Sequence, residues 1–105
     1  MINILKKIFG KSQQPDFSEM LKNGGIIIDV RTKGEYSTGH IKDSKNIPLN
    51  VLNNNLNKIK GKDKPVITCC ASGMRSASAR KMLQSYGYTQ VYNGGGWRSL
   101  QNKIS

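Results

Sequence analysis

Two stretches of the chain are apolar and β-branched at almost every position. They are Ile26-Ile27-Ile28, running on to Asp29-Val30, and Pro65-Val66-Ile67-Thr68-Cys69. Neither alternates with polar residues, so each predicts a short strand buried on both faces, as in a parallel sheet. Elsewhere the apolar residues recur at helical spacing. Leu52, Leu56 and Ile59 predict a helix over 51–59, closed by Gly61. Ala77, Ala79, Met82, Leu83 and Tyr86 predict another over 75–86, closed by Gly87. Asp16 with Glu19 three residues on resembles a capping box, and Asn23-Gly24-Gly25 stops the helix it opens. One helical turn is expected over 33–38, a brief extended segment at Asn46-Ile47-Pro48-Leu49, and a last strand at Val91-Tyr92. Asn93 to Gly96 then reads as a turn and Trp97 to Lys103 as a final helix. Strands alternating with helices give an α/β domain, a mainly parallel sheet with helices on both faces.

The chain divides into residues 1–12, a short amphipathic basic segment, and one domain over 13–105. In the first, Ile2, Leu5, Ile8 and Phe9 share a helical face while Lys6 and Lys7 interrupt the apolar run a signal peptide needs. Residues 1–11 suit either peripheral contact with an anionic membrane or a frayed end or helix packing on the domain, and the second reading is preferred. No apolar run approaches the roughly 20 residues of a membrane span.

Length and charge narrow the classes. The 105 residues carry 17 Lys+Arg against 6 Asp+Glu, a formal charge of +11. Such an excess suggests a polyanionic partner. Lysine, asparagine and isoleucine are all abundant, however, and no aromatic interleaves with the densest cluster, Lys58, Lys60, Lys62 and Lys64. A nucleic-acid platform of stacked bases is therefore not the favoured reading.

The two cysteines, Cys69 and Cys70, are adjacent. Neighbouring residues do not match ordinary disulfide geometry, and with a single histidine, His40, they do not make a four-ligand zinc site. Reduced thiols fit a cytoplasmic setting. Cys69 reads as a small buried residue. Cys70 reads differently: it ends a buried strand, and Ala71-Ser72-Gly73 leads into a helix beginning near Arg75. Backbone N–H groups of such a loop, together with the positive end of the helix dipole, stabilise an anion. Since the thiolate rather than the thiol is the nucleophile, this is a nucleophile site on physical grounds.

Three blocks then resemble the rhodanese family of single-domain sulfurtransferases. They are Ile28-Asp29-Val30-Arg31 with Glu35-Tyr36, Gly39-His40-Ile41 and Asn46-Ile47-Pro48-Leu49; the loop Cys70-Ala71-Ser72-Gly73-Met74-Arg75-Ser76, of the form C-x-x-G-x-R-S; and Gly87-Tyr88 followed by Val91-Tyr92-Asn93-Gly94-Gly95-Gly96-Trp97. The resemblance covers about Asp16 to Leu100. It implies a three-layer α/β/α rhodanese-like fold and a Cys70 persulfide. That persulfide would be loaded by thiosulfate, a polysulfide or a persulfide donor and discharged to a thiol or cyanide, with residues 71–76 as the binding loop. No metal or organic cofactor is implied. The six residues from Cys70 to Arg75 go with sulfur transfer in the relatives, whereas phosphatase relatives have one more. A non-catalytic sulfur carrier or regulatory module is the alternative.

Around the loop, Asp29 and Arg31 are expected on the same sheet edge as supporting residues, Arg31 pairing with Glu35. Arg75 is expected either to hold an anionic donor or to pair with a carboxylate. Ser76 is either a donor to the loop or merely small, His40 orders a turn, and Trp97 anchors packing. Ala71, Ser72 and Met74 are uncharged, a rim that suits a persulfide or polysulfide at least as well as thiosulfate. Lys42-Asp43-Ser44-Lys45 departs from the small residues usual in the family before Asn-Ile-Pro.

Overall fold

In the computed structural model, which describes residues 15–105, the two continuous apolar runs lie side by side at the centre of a four-stranded sheet. The first run forms β1 (Ile26–Asp29) and the second β3 (Val66–Cys70). They pair in parallel with Ile26 beside Val66 and Asp29 beside Cys69. A two-residue strand, β2 (Lys45–Asn46), flanks β1, and β4 (Val91–Gly96) flanks β3. The order is β2-β1-β3-β4 and every pairing is parallel, so the expected mainly parallel sheet is wholly so. The amphipathic segment read over residues 1–12 lies outside the described residues. Among the described residues no helix is long and apolar enough to cross a membrane.

Because successive strand residues face opposite sides, the central strands feed two separate apolar layers. Ile28, Val66 and Cys70 join Leu52, Ile59, Ala79, Leu83 and Tyr88 on one side. Ile27, Ile67 and Cys69 join Phe17, Ile41 and Leu100 on the other. The first layer is covered by α3 (Met74–Ser85) and the segment after β2. The second is covered by α1 (Phe17–Lys22) and α4 (Trp97–Ile104). Asp16 caps α1 by accepting the Glu19 N–H at 3.0 Å. A short α2 (Lys33–Ser37) follows β1.

Three local expectations change. The helix expected over 51–59 is two 3-10 segments, Leu49–Asn54 and Leu56–Lys58. Leu52 and Ile59 still bury fully, but the asparagine run is a weak helix former, and Asn55 Nδ2 donates to the Val51 carbonyl in competition with the backbone ladder. Tyr86 is exposed and Tyr88 is the buried aromatic, its hydroxyl donating to the Ile59 carbonyl at 2.5 Å. Finally, Asn93 to Gly96 is strand, not turn, and a register shift opposite Thr68–Cys70 accommodates it. Glycine permits this pairing. A Cβ on Gly94 would lie 2.8 Å from the Thr68 carbonyl oxygen and 2.8 Å from Leu100 Cδ2, closer than packed atoms approach.

Candidate active site

The site begins at the carboxyl end of β3, where open parallel sheets expose their binding crevices. Cys70 is the last strand residue and α3 starts four residues later, at Met74. Gly73 makes the connection at φ +108°, a left-handed conformation that favours glycine. It is also the N-cap of α3, yet it has no side chain to accept the helix's first N–H groups. The sulfur of Cys70 fills that role. Its Sγ accepts the Gly73 N–H at 3.0 Å and the Ser76 N–H at 3.3 Å. Residue 76 thus supplies a donor through its backbone, while its hydroxyl turns away to donate to Asn93 Oδ1 at 2.6 Å. Thr68 Oγ1 lies 2.7 Å from the same hydroxyl. Asn93 also accepts the Gly95 N–H at 2.9 Å, so one amide ties α3 to β4 behind the loop.

Cys69 points into the opposite layer and is fully buried. Burial, with the Asp29 carboxylate adding to it, pushes its thiol well above its ordinary range. Two adjacent cysteines are thereby distinguished: one is held as a neutral core residue, the other has two backbone donors aimed at its sulfur.

The supporting residues rearrange relative to expectation. Arg31 pairs with Asp29, not with the Glu35 side chain. Its Nε and Nη2 donate to both Asp29 oxygens at 2.8 to 3.0 Å, and both residues are buried. The remaining donors go to the carbonyls of Glu35 and Gly39 at 3.2 and 2.7 Å, and the guanidinium lies over the Trp97 ring, 4.7 Å from its centroid. Asn46, of the Asn-Ile-Pro block, donates to the carbonyls of Asp29 and Arg31. Asp29 and Arg31 therefore brace the end of β1. His40 stacks on Tyr36, and its Nδ1 lies 2.8 Å from the Tyr36 carbonyl, ordering the turn as expected.

Glu35 is the residue the sequence reading placed wrongly. Its carboxylate completes a capping box with Thr32 at the start of α2 and receives Arg75 in a two-point pair, Nη1 to Oε1 at 2.8 Å and Nη2 to Oε2 at 3.0 Å. Thr-x-x-Glu is a visible capping signal, but nothing in the sequence names a partner 40 residues away. Arg75 also lines an open cleft of about 250 Å³ with Val30, Thr32, Pro48, Leu49 and Asn50.

Arg75, then the Thr32 N–H, hold the Glu35 carboxyl down to about 2 from an ordinary 4.5. A carboxyl lowered on folding contributes stability that is complete above its unfolded value and lost as pH falls toward the folded one. The Tm difference between wild type and Glu35→Gln is therefore expected to be constant above about pH 5 and to close between about 4.5 and 2. A difference that is flat across that window would remove the pair from the stability of the fold.

A model of the rhodanese-like domain matches residues 13–103, nearly the full length. The chain belongs to the rhodanese family. Among curated relatives of this rhodanese-like protein, the uncharacterized protein YqhL of Bacillus subtilis is 40% identical over 79 residues, covering 74% of this chain and 62% of YqhL. The thiosulfate sulfurtransferase PspE of Escherichia coli is 32% identical over 74 residues, covering 70% of this chain and 71% of that one. Among solved structures, the human single domain sulfurtransferase superposes with a TM-score of 0.71 at 25% identity, covering 87% of this chain and 94% of that one. The rhodanese-like chain spans less than two thirds of YqhL. The three-layer α/β/α architecture is that of its rhodanese-fold neighbours.

Proposed function

We propose that this rhodanese-like protein is a sulfurtransferase that carries sulfane sulfur on Cys70. One observation carries the reading: the Cys70 sulfur itself serves as the acceptor at the start of α3, taking two backbone N–H bonds that no side chain competes for. Donors fixed in the fold stabilise negative charge on that sulfur without having to reorganise during reaction. The N–H groups of Met74 and Arg75, the first two helical residues, have no carbonyl within α3 to bond. On this reading they supply further donors for the terminal sulfur of a persulfide.

The steps follow from this cradle. The Cys70 thiolate attacks the outer sulfur of the donor. The new S–S bond forms as the donor's own bond to that sulfur breaks, and the electron pair leaves with the remainder: sulfite from thiosulfate, a shortened chain from a polysulfide. A thiolate or cyanide then attacks the terminal sulfur of the Cys70 persulfide and takes it as a new persulfide or as thiocyanate, returning the Cys70 thiolate. The partners are thus a small sulfur donor and a thiol acceptor. The six-residue loop from Cys70 to Arg75 supports single-sulfur chemistry over phosphoryl transfer.

Mass spectrometry tests the reading. Incubation with thiosulfate or polysulfide is expected to add one sulfur atom at Cys70, and cyanide to remove it as thiocyanate over repeated turnovers. A Cys69→Ser chain is expected to keep at least about half of this activity, since the Cys69 thiol faces the other layer and is held in its neutral form. No added sulfur with either donor overturns the proposal. Loading without turnover would make the protein a sulfur carrier.

A further inference from the structure

Around Cys70 the loop offers an anion one formally charged side chain, Arg75, and the structure has already committed it. Both terminal nitrogens of its guanidinium face the Glu35 carboxylate, the fork-to-fork geometry with which arginine also grips oxyanions. Glu35 is itself fixed from behind, because Oε1 accepts the Thr32 N–H at 2.9 Å and the Thr32 hydroxyl at 3.1 Å. The pair is open to solvent, the two side chains being 35% and 37% exposed, so a ligand can contest it. The other exposed residues of the loop carry no charge: Ala71 and Ser72 are exposed, and Met74 is 80% exposed. The adjoining cleft adds Val30, Pro48 and Leu49.

We infer that Glu35 is a positioning residue that selects the charge of the sulfur donor: by holding Arg75 in a two-point ion pair at the rim of the Cys70 loop, it withholds the cation that a dianionic donor requires and favours a donor of lower charge. This deepens the sulfurtransferase reading and rests on it. Thiosulfate is a dianion that must bring its sulfonate oxygens close to the loop while its outer sulfur meets Cys70, and sulfite must depart from the same place. A hydropolysulfide brings a single negative charge, and its apolar sulfur chain suits a rim of methionine, alanine and aliphatic cleft residues. The lysines draw in anions of either kind, and among the described residues the hydrogen bonds to the Cys70 sulfur come from backbone N–H groups alone.

The test compares thiosulfate with hydropolysulfide as donors, cyanide accepting in both, above the uncatalysed rates. Wild type, Glu35→Gln and Glu35→Ala are assayed in parallel. The two variants make the same change in charge but differ in structure, because glutamine keeps an oxygen for the Thr32 N–H and alanine does not. In both, kcat/KM for thiosulfate is expected to rise about fivefold relative to polysulfide, through KM and not kcat, and the gain is expected to fade at about 0.5 M salt. A ratio unchanged within about twofold in folded variants would falsify the role of Glu35 and leave the sulfurtransferase reading standing. A gain in one variant alone, following its loss of Tm, would likewise overturn it as a charge effect. Absence of sulfur transfer by wild type from either donor removes the sulfurtransferase reading, and this inference with it.

Discussion

Cys70→Ser is expected to abolish thiocyanate formation, lowering turnover by at least about a thousandfold, while the chain stays folded. The substitution is nearly isosteric. A serine oxygen can accept the same Gly73 and Ser76 N–H groups that now reach the sulfur, so the loop and the start of α3 keep their partners. What is lost is chemical. A hydroxyl is far weaker than a thiolate as a nucleophile at neutral pH, and oxygen forms no bond to sulfane sulfur that an acceptor could later open. Turnover assays paired with circular dichroism separate the two effects. A folded serine variant retaining more than a tenth of wild-type turnover would exclude Cys70 as the sulfur carrier.

Arg31→Leu is expected to carry the largest stability loss, about 3 kcal/mol or more. Asp29 and Arg31 are both buried, and removal of one partner strands the other's charge without water. The same change leaves the Gly39 carbonyl without its donor, takes one of three donors from the Glu35 carbonyl, and removes the cation from the Trp97 face. For a domain of this size, total stability is about 5–15 kcal/mol, so the variant approaches its folding limit. Urea unfolding measures it, and the pair variant Asp29→Leu/Arg31→Leu is expected to recover part of the loss, because no charge remains stranded. A single-variant loss below about 1 kcal/mol would mean that water reaches the pair.

The parts of this fold that could be read along the chain are those set by local rules. Ile26–Ile28 and Val66–Ile67 are too continuously apolar for any place but a doubly covered sheet, and they occupy its centre. Gly73 before Arg75-Ser76 announces a turn into a helix, so the Cys70 loop was legible as a loop. Pairings over long separations were not. Arg31 had two candidate carboxylates, Asp29 two residues away and Glu35 four away. The choice depended on Arg75 arriving from another element to occupy Glu35. Asn93 looked like a turn residue because glycines follow it. Those glycines instead let β4 continue flat against Thr68 and Leu100, and the asparagine became the link between Ser76 and Gly95. Tyr86 and Tyr88 differ in role because Gly87, at φ +97°, reverses the chain between them, a rotation that helical periodicity does not register.

The pleat that sends Cys69 and Cys70 to opposite layers also isolates them from each other. Many thiol enzymes keep a second cysteine within reach, to rescue the first when it is oxidised or to take over its cargo as an internal disulfide. Here the neighbouring thiol is one residue away in sequence and on the far side of the sheet, and the chain has no third cysteine. On the proposed mechanism, a sulfur atom loaded onto Cys70 would have no internal exit. Its lifetime would then be set by whichever nucleophile arrives from outside, and the strand's alternation would serve as a storage device as much as a scaffold.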